Sequence, residues 1–224
     1  MPELQPGLWH WHAAHPWWSS SAPYAQEVSS YALDDGTHLL LFDPLAVPSN
    51  ILDLASEREP VIVLTAPWHE RDARDLVERL SAPVYAPPAE TAEDLMQKYG
   101  ITAEQAGDGS PDLDWLRAGG GEAHWYAAGD RLPFGVEAFA GYEPHDVVLW
   151  LEGRRAVVAG DLLSGLLDSS ALQYKWLKQG VPREQLAEGL RPFLELPVDV
   201  VLPAHGEPTD RAALERALSP GIVR

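Results

Sequence analysis

The chain has no cysteine. Disulfides, thiolate metal ligands and a cysteine nucleophile are therefore excluded together. Any metal must be held by His, Asp and Glu, and any nucleophile must be a hydroxyl, a carboxylate or a water. Positive charge is scarce too: 16 Lys+Arg against 34 Asp+Glu give a formal net charge of −18. That balance argues against nucleic acid, whose binding needs a basic footprint, and against anionic membranes. No Lys or Arg precedes Arg58, so the basic start of a secretory signal is missing. No run of ~18 apolar residues occurs, so no membrane-spanning helix is expected. The expectation is a soluble, cytoplasmic protein. A Gly-x-Ser-x-Gly elbow is also lacking, which leaves a serine α/β-hydrolase mechanism unsupported.

What is present suits one domain over residues 1–224. A loose Gly- and Asp-rich stretch over 104–121 is the best candidate for an internal linker, and no sequence repeat is visible. The chain opens unusually, with Trp9 and Trp11 alternating with His10 and His12, followed by His15, Trp17 and Trp18. Alternation predicts a strand with the indoles on one face. Those rings either cap the core or form an aromatic lid over a pocket.

Further along, residues 27–33 and 37–42 read as a hairpin turning at Asp34-Asp35-Gly36, and Asp43-Pro44 ends its second strand. Val61-Ile62-Val63-Leu64-Thr65 reads as a strand buried on both faces. Helix 71–80 and strand 84–86 then complete a βαβ unit. Helical patterns also cover 89–100 and 183–194. Strands are expected at 136–140, 146–151, 156–159 and 198–203. A closing helix, capped by Thr209 or Asp210, presents Ala213, Leu214 and Leu218. Elements of both kinds predict an α/β or α+β class with helices outside paired sheets.

Chemistry in such folds gathers where apolar strands end in polar loops. Four such places stand out: Thr65-Ala66-Pro67-Trp68-His69-Glu70-Arg71, Gly141-Tyr142-Glu143-Pro144-His145, Gly160-Asp161 and His205-Gly206-Glu207. Their order, with Asp43-Pro44 ahead of them, resembles the metallo-β-lactamase superfamily over residues 28–208. The resemblance implies a four-layer αββα sandwich with its site at one edge between two similar halves, roughly 1–120 and 121–224. It also implies a dinuclear metal centre, usually zinc, whose bridging hydroxide attacks esters, thioesters, amides or phosphodiesters.

The departures from that pattern are informative. The family's Thr-His-x-His-x-Asp-His becomes Thr65-Ala66-Pro67-Trp68-His69-Glu70-Arg71, and its Gly-His-Thr becomes Gly141-Tyr142-Glu143. All three imidazoles of the first metal are absent, which leaves Glu70, Asp161 and His205 at ligand positions. Arg71 has no lone pair and stays charged. It is expected to pair with Asp161 or Glu70 where a metal would otherwise sit. No cofactor is favoured. The alternative is one divalent Zn, Fe or Mn held by Glu70, Asp161 and His205, with His69 or His145 assisting. On a strand, however, a one-residue shift would turn His69 to the other face.

Two functions are expected from these residues. One is a hydrolase in which His205 is the general base, Asp161 orients it, Arg71 stabilises the oxyanion and His145 is a second base. Glu70, Trp68, His69 and Tyr142 would line the site for a small-molecule substrate. The other is a non-catalytic module that binds a small molecule or a partner. A homodimer burying the N-terminal tryptophans is the remaining expectation about partners.

Overall fold

The computed structural model describes residues 1–22, 26–141, 143, 145–163 and 190–218. Among them the strands form two mixed sheets. The first runs in the order β1 (Glu3–Gln5), β2 (Leu8–Ala14), β3 (Glu27–Asp34), β4 (His38–Phe42), β5 (Glu59–Val63), β6 (Val84–Ala86) and β7 (Ala123–Trp125). The second is laid out as β13 (Thr209–Asp210), β12 (Val200–Pro203), β11 (Ala156–Gly160), β10 (Val147–Leu151), β9 (Val136–Ala140) and β8 (Arg131–Leu132).

Alternation along the strands divides the core into layers. Leu40 and Phe42 face the second sheet and pack with Val61, Val63, Leu149, Val158 and Leu202. Leu39 and Leu41 face the other way, onto α1 (Ser49–Leu54) and α2 (Ala73–Leu80), through Ile51, Leu76 and Val77. On the far side, Val148, Trp150 and Val157 meet Phe193 of α6 (Pro192–Glu195) and Leu214 of α7 (Arg211–Leu218). The result is helix, sheet, sheet, helix, the expected αββα sandwich.

The 27–42 hairpin forms as expected. Its turn is fixed by Asp34, which accepts from Gly36 N, and by Asp35, which accepts from Thr37 N and His38 N. The strand-helix-strand unit also appears, with β5 parallel to β6 and α2 between them. Asp210 is the cap of the closing helix, its Oδ1 accepting from Ala213 N at 2.8 Å.

The 104–121 stretch differs from its reading as a linker. It carries α4 (Ala103–Ala106) and α5 (Asp114–Arg117), and Leu113 and Leu116 are buried in the outer core under the first sheet. Its many Gly and Asp residues set short turns that hide two apolar anchors. Of the expected 183–194 helix, residues 183–189 lie outside the described residues. No described helix is long and apolar enough to cross a membrane.

Trp9 and Trp11 belong to the core beneath the helices. Trp11 is buried and its indole donates to Leu45 O at 2.7 Å, while Trp9 packs beside it. His10 and His12 occupy the opposite face of β2, as the alternation requires. The strand pairs antiparallel to β3, with His10 opposite Tyr31 and His12 opposite Ser29.

Candidate functional site

Four strand ends meet at one edge of the sandwich. At the end of β4, Asp43 takes a left-handed backbone (φ 44°), which Asp tolerates better than most residues. Its buried carboxylate thereby turns toward Thr65. Oδ1 accepts from Thr65 N at 2.8 Å and Oδ2 from Thr65 Oγ1 at 2.6 Å. The chain next makes a 3₁₀ turn over Pro67–His69. Three residues per turn replaces the strand's period of two, and His69 swings inward. Its Nδ1 lies 3.1 Å from Asp43 Oδ2, and its Nε2 lies 3.2 Å from Asp161 Oδ2.

Asp161 follows Gly160 at the end of β11. Gly160 has φ 53°, and a Cβ there would sit 3.0 Å from Thr65 Oγ1. A bare α-carbon is what lets the two sheets close at this point. Asp161 Oδ1 is 3.2 Å from Nε2 of His205, which follows β12, and Trp68 Nε1 donates to Oδ2 at 3.1 Å. The side chains thus form a row, Asp43, His69, Asp161 and His205, buried except for part of Asp161.

Electrostatics fixes the charges in this row. Burial opposes the charged form of His69, but Asp161 and Asp43, one at each ring nitrogen, outweigh it and lift its pKa to about 10. The ring is therefore an imidazolium at neutral pH. Burial also opposes charge on Asp161, yet His69 and His205 hold it well below the usual carboxylate range. Asp43, likewise buried, is lowered in the same way, chiefly by His69. His15, on the loop after β2, has its pKa lowered first by partial burial and then by Arg71 and the His205 and His69 rings.

The expected site residues divide. His205, Asp161, His69 and Trp68 come together, and His69 corrects the expectation that it would face away. Its inward turn comes from the 3₁₀ bend. Glu70 is turned out by the same bend and accepts from Leu113 N at 3.3 Å. Arg71 does not make the expected ion pair with Asp161 or Glu70. Its Nη1 donates to Ser29 O at 2.7 Å, Asp43 O at 2.6 Å and Ser30 Oγ at 3.2 Å. It also adopts a left-handed backbone (φ 44°), and its role is to pin the Asp43 corner onto β3. That geometry does not support the oxyanion role expected of it. His145 is engaged elsewhere, 2.9 Å from Asp94 Oδ2 on α3 (Ala92–Tyr99), and so is not a second base here. Tyr142 lies outside the described residues.

Sequence reasoning uses Asp43 only as a landmark and passes over Thr65 as a donor. The Asp-Pro that ends β4 is the available signal, because an acid at a strand end beside a buried strand needs partners. Trp68 forms one wall, with Lys98 Nζ 4.7 Å from the centre of its ring. Lys98 is in turn held by Glu90 at 2.8 Å.

Three side chains at this edge, those of Ala66, Trp68 and Arg71, offer no metal ligand. Ala66 is buried and offers no donor. Trp68 presents an N–H, Arg71 a guanidinium, and Glu70 faces Leu113. His69 is engaged on both ring nitrogens, between the carboxylates of Asp43 and Asp161. Among the described residues, the group whose potential ligand atoms gather within 4.8 Å of one another is a different one, His10, His12 and Glu207.

No protein-family model and no curated protein matches the chain. Solved structures do. The crystal structure of VMB-1 at pH 5.5 aligns over 97% of this chain and 93% of its own, at 14% identity and a TM-score of 0.60. The metallo-beta-lactamase family protein TTHA1429 from Thermus thermophilus aligns over 96% of this chain and 78% of its own, at 17% identity and a TM-score of 0.60. TTHA1623, crystallised in a di-iron-bound form, is 27% identical over 87% of this chain and 94% of its own, with a TM-score of 0.55.

Proposed function

The chain has the metallo-β-lactamase fold, and on that premise we propose that it is a hydrolase-like protein working without the fold's dinuclear metal centre. The observation that carries this reading is the Asp161–His205 pair at the strand-end site, backed by His69 and Asp43. An imidazole paired with an ionised carboxylate is the arrangement of a general base and its orienting group. His205 takes a proton from an attacking water, and Asp161 stabilises the imidazolium that forms. Water adds to an ester, thioester, amide or phosphodiester of a small molecule. The bond to the leaving group breaks, and His205 returns the proton to it.

His69 serves this chemistry without touching substrate. As a fixed cation it keeps Asp161 ionised, so that the proton taken from water stays on His205. Arg71 and Thr65 hold Asp43, which holds His69. Catalysis then rests on charges that are already oriented before substrate arrives.

The test is a panel of ester, thioester, amide and phosphodiester substrates, run on chelator-stripped protein with and without Zn²⁺ or Mn²⁺. Turnover that survives chelation and falls in His205→Gln and Asp161→Asn supports the proposal. Turnover that requires added metal overturns it. An inert protein that gains thermal stability with a small molecule overturns it as well, and supports a non-catalytic binding module instead.

A further inference from the structure

Away from that row, His10, His12 and Glu207 converge on the other side of Ser29. We infer that they form a mononuclear site for a divalent transition ion, with zinc the natural occupant. Each offers one ligand atom, and the three atoms lie within 4.8 Å of one another. The two histidines are two apart on β2, so both project from the same face of the strand. Their rings stand nearly perpendicular with centroids 4.4 Å apart, and His12 Nε2 is 3.7 Å from Glu207 Oε1. Two imidazoles and a carboxylate make an N₂O set that suits Zn²⁺, Co²⁺ or Ni²⁺ and leaves a position open to water.

The set is held in place by its surroundings. His10 is buried and stacks on Tyr31 at 5.0 Å. Its Nε2 lies 3.0 Å from Ser29 Oγ, which donates to Gly206 O at 2.8 Å. Tyr31 is anchored in turn by its hydroxyl, which donates to Pro203 O at 2.7 Å. Hydrogen-bonded and stacked neighbours of this kind orient metal-ligating rings. As a plain ion pair, His12 with Glu207 would have little reason to be fixed, since Glu207 is 61% exposed. A metal gives the exposed carboxylate and the buried imidazole a common purpose.

Position adds the consequence. Glu207 lies two residues beyond His205, so a bound ion would tie the loop carrying His205 to β2. This site uses none of the groups assigned to hydrolysis, and it stands or falls separately from that assignment.

Chelator-stripped protein of residues 1–224 titrated with Co²⁺ provides the test. Saturation at one ion per chain is expected, with visible absorption that Zn²⁺ displaces and a higher melting temperature on loading. His12→Ala and Glu207→Gln, both at partly or well exposed positions, should each weaken binding tenfold or more while the unloaded proteins melt normally. Asp161→Asn should leave binding unchanged. Absence of saturable binding overturns the inference. So does binding that survives the combined His12→Ala and Glu207→Gln change, or binding that is lost in Asp161→Asn, which would put the ion in the other row.

Discussion

Nε2 of His69 lies 3.2 Å from Oδ2 of Asp161, with both side chains almost wholly shielded from water. One charged ring thereby joins the loop that follows the first sheet's β5 to the end of the second sheet's β11. Losing the ring would leave Asp43 and Asp161 as buried acids without their main counter-charge. Breaking a buried pair from one side costs about 3–5 kcal/mol, and urea unfolding of His69→Gln should show a loss of that order.

The pH dependence of stability follows from the direction of each shift. The pKa of His69 is raised from 6.5 to about 10 on folding. Its contribution is full below about pH 6.5 and fades as pH rises through 10. Asp43 and Asp161 are shifted down, so their contribution is full above the ordinary carboxylate range and fades on acidification. Urea unfolding of the native chain should therefore show a plateau in weak acid and a decline through the alkaline range. In His69→Gln the alkaline decline attributable to this ring should vanish.

Arg71 is expected to behave as a positioning residue. Arg71→Ala leaves the carbonyls of Ser29 and Asp43 without their donor and should cost about 1–3 kcal/mol in denaturant unfolding. Arg71→Lys should recover only part of that loss, because the lysine chain is one atom shorter and sets its ammonium back from the position of Nη1.

Gly160→Ala should destabilise the fold by about 1–3 kcal/mol, through a left-handed backbone and a Cβ crowding Thr65. The control is Gly36→Ala in the exposed hairpin turn. It shares the backbone strain but meets nothing within 4 Å, and it should cost less. Thermal melts of the two variants compare them directly.

His205→Gln should lower turnover of any substrate found by roughly 10²–10⁴-fold, the range for loss of a general base. His145→Gln should leave turnover within about twofold, because His145 pairs with Asp94 away from the row. Steady-state rates on one substrate separate the two histidines.

The layers are legible in the sequence because they rest on periodicity, which β4 shows plainly: Leu39 and Leu41 face the helices while Leu40 and Phe42 face the other sheet. Asp161 and His205 are legible because each follows an apolar strand closely. His69 escapes that logic because strand alternation does not extend across Pro67, where the backbone has already changed to a 3₁₀ turn. For Arg71, charge suggests a carboxylate partner, whereas its bonds run to main-chain carbonyls. Sequence spacing cannot display carbonyls in need of a donor. The strands β1, β7, β8 and β13, each of two or three residues, are too short to carry a period at all.

The row from Asp43 to His205 draws its members from both sheets, and so it acts as a clasp whose pin is a proton. Opening either end frees the other: if Asp43 lets go, His69 loses its hold on Asp161, and the ends of β11 and β12 come loose from those of β4 and β5. The amide of Thr65, bonded to Asp43 Oδ1, and that of Ala204, bonded to Gly160 O, lie on opposite sides of this clasp. In hydrogen exchange the two amides should be released in a single event, and alkaline solution should hasten both together.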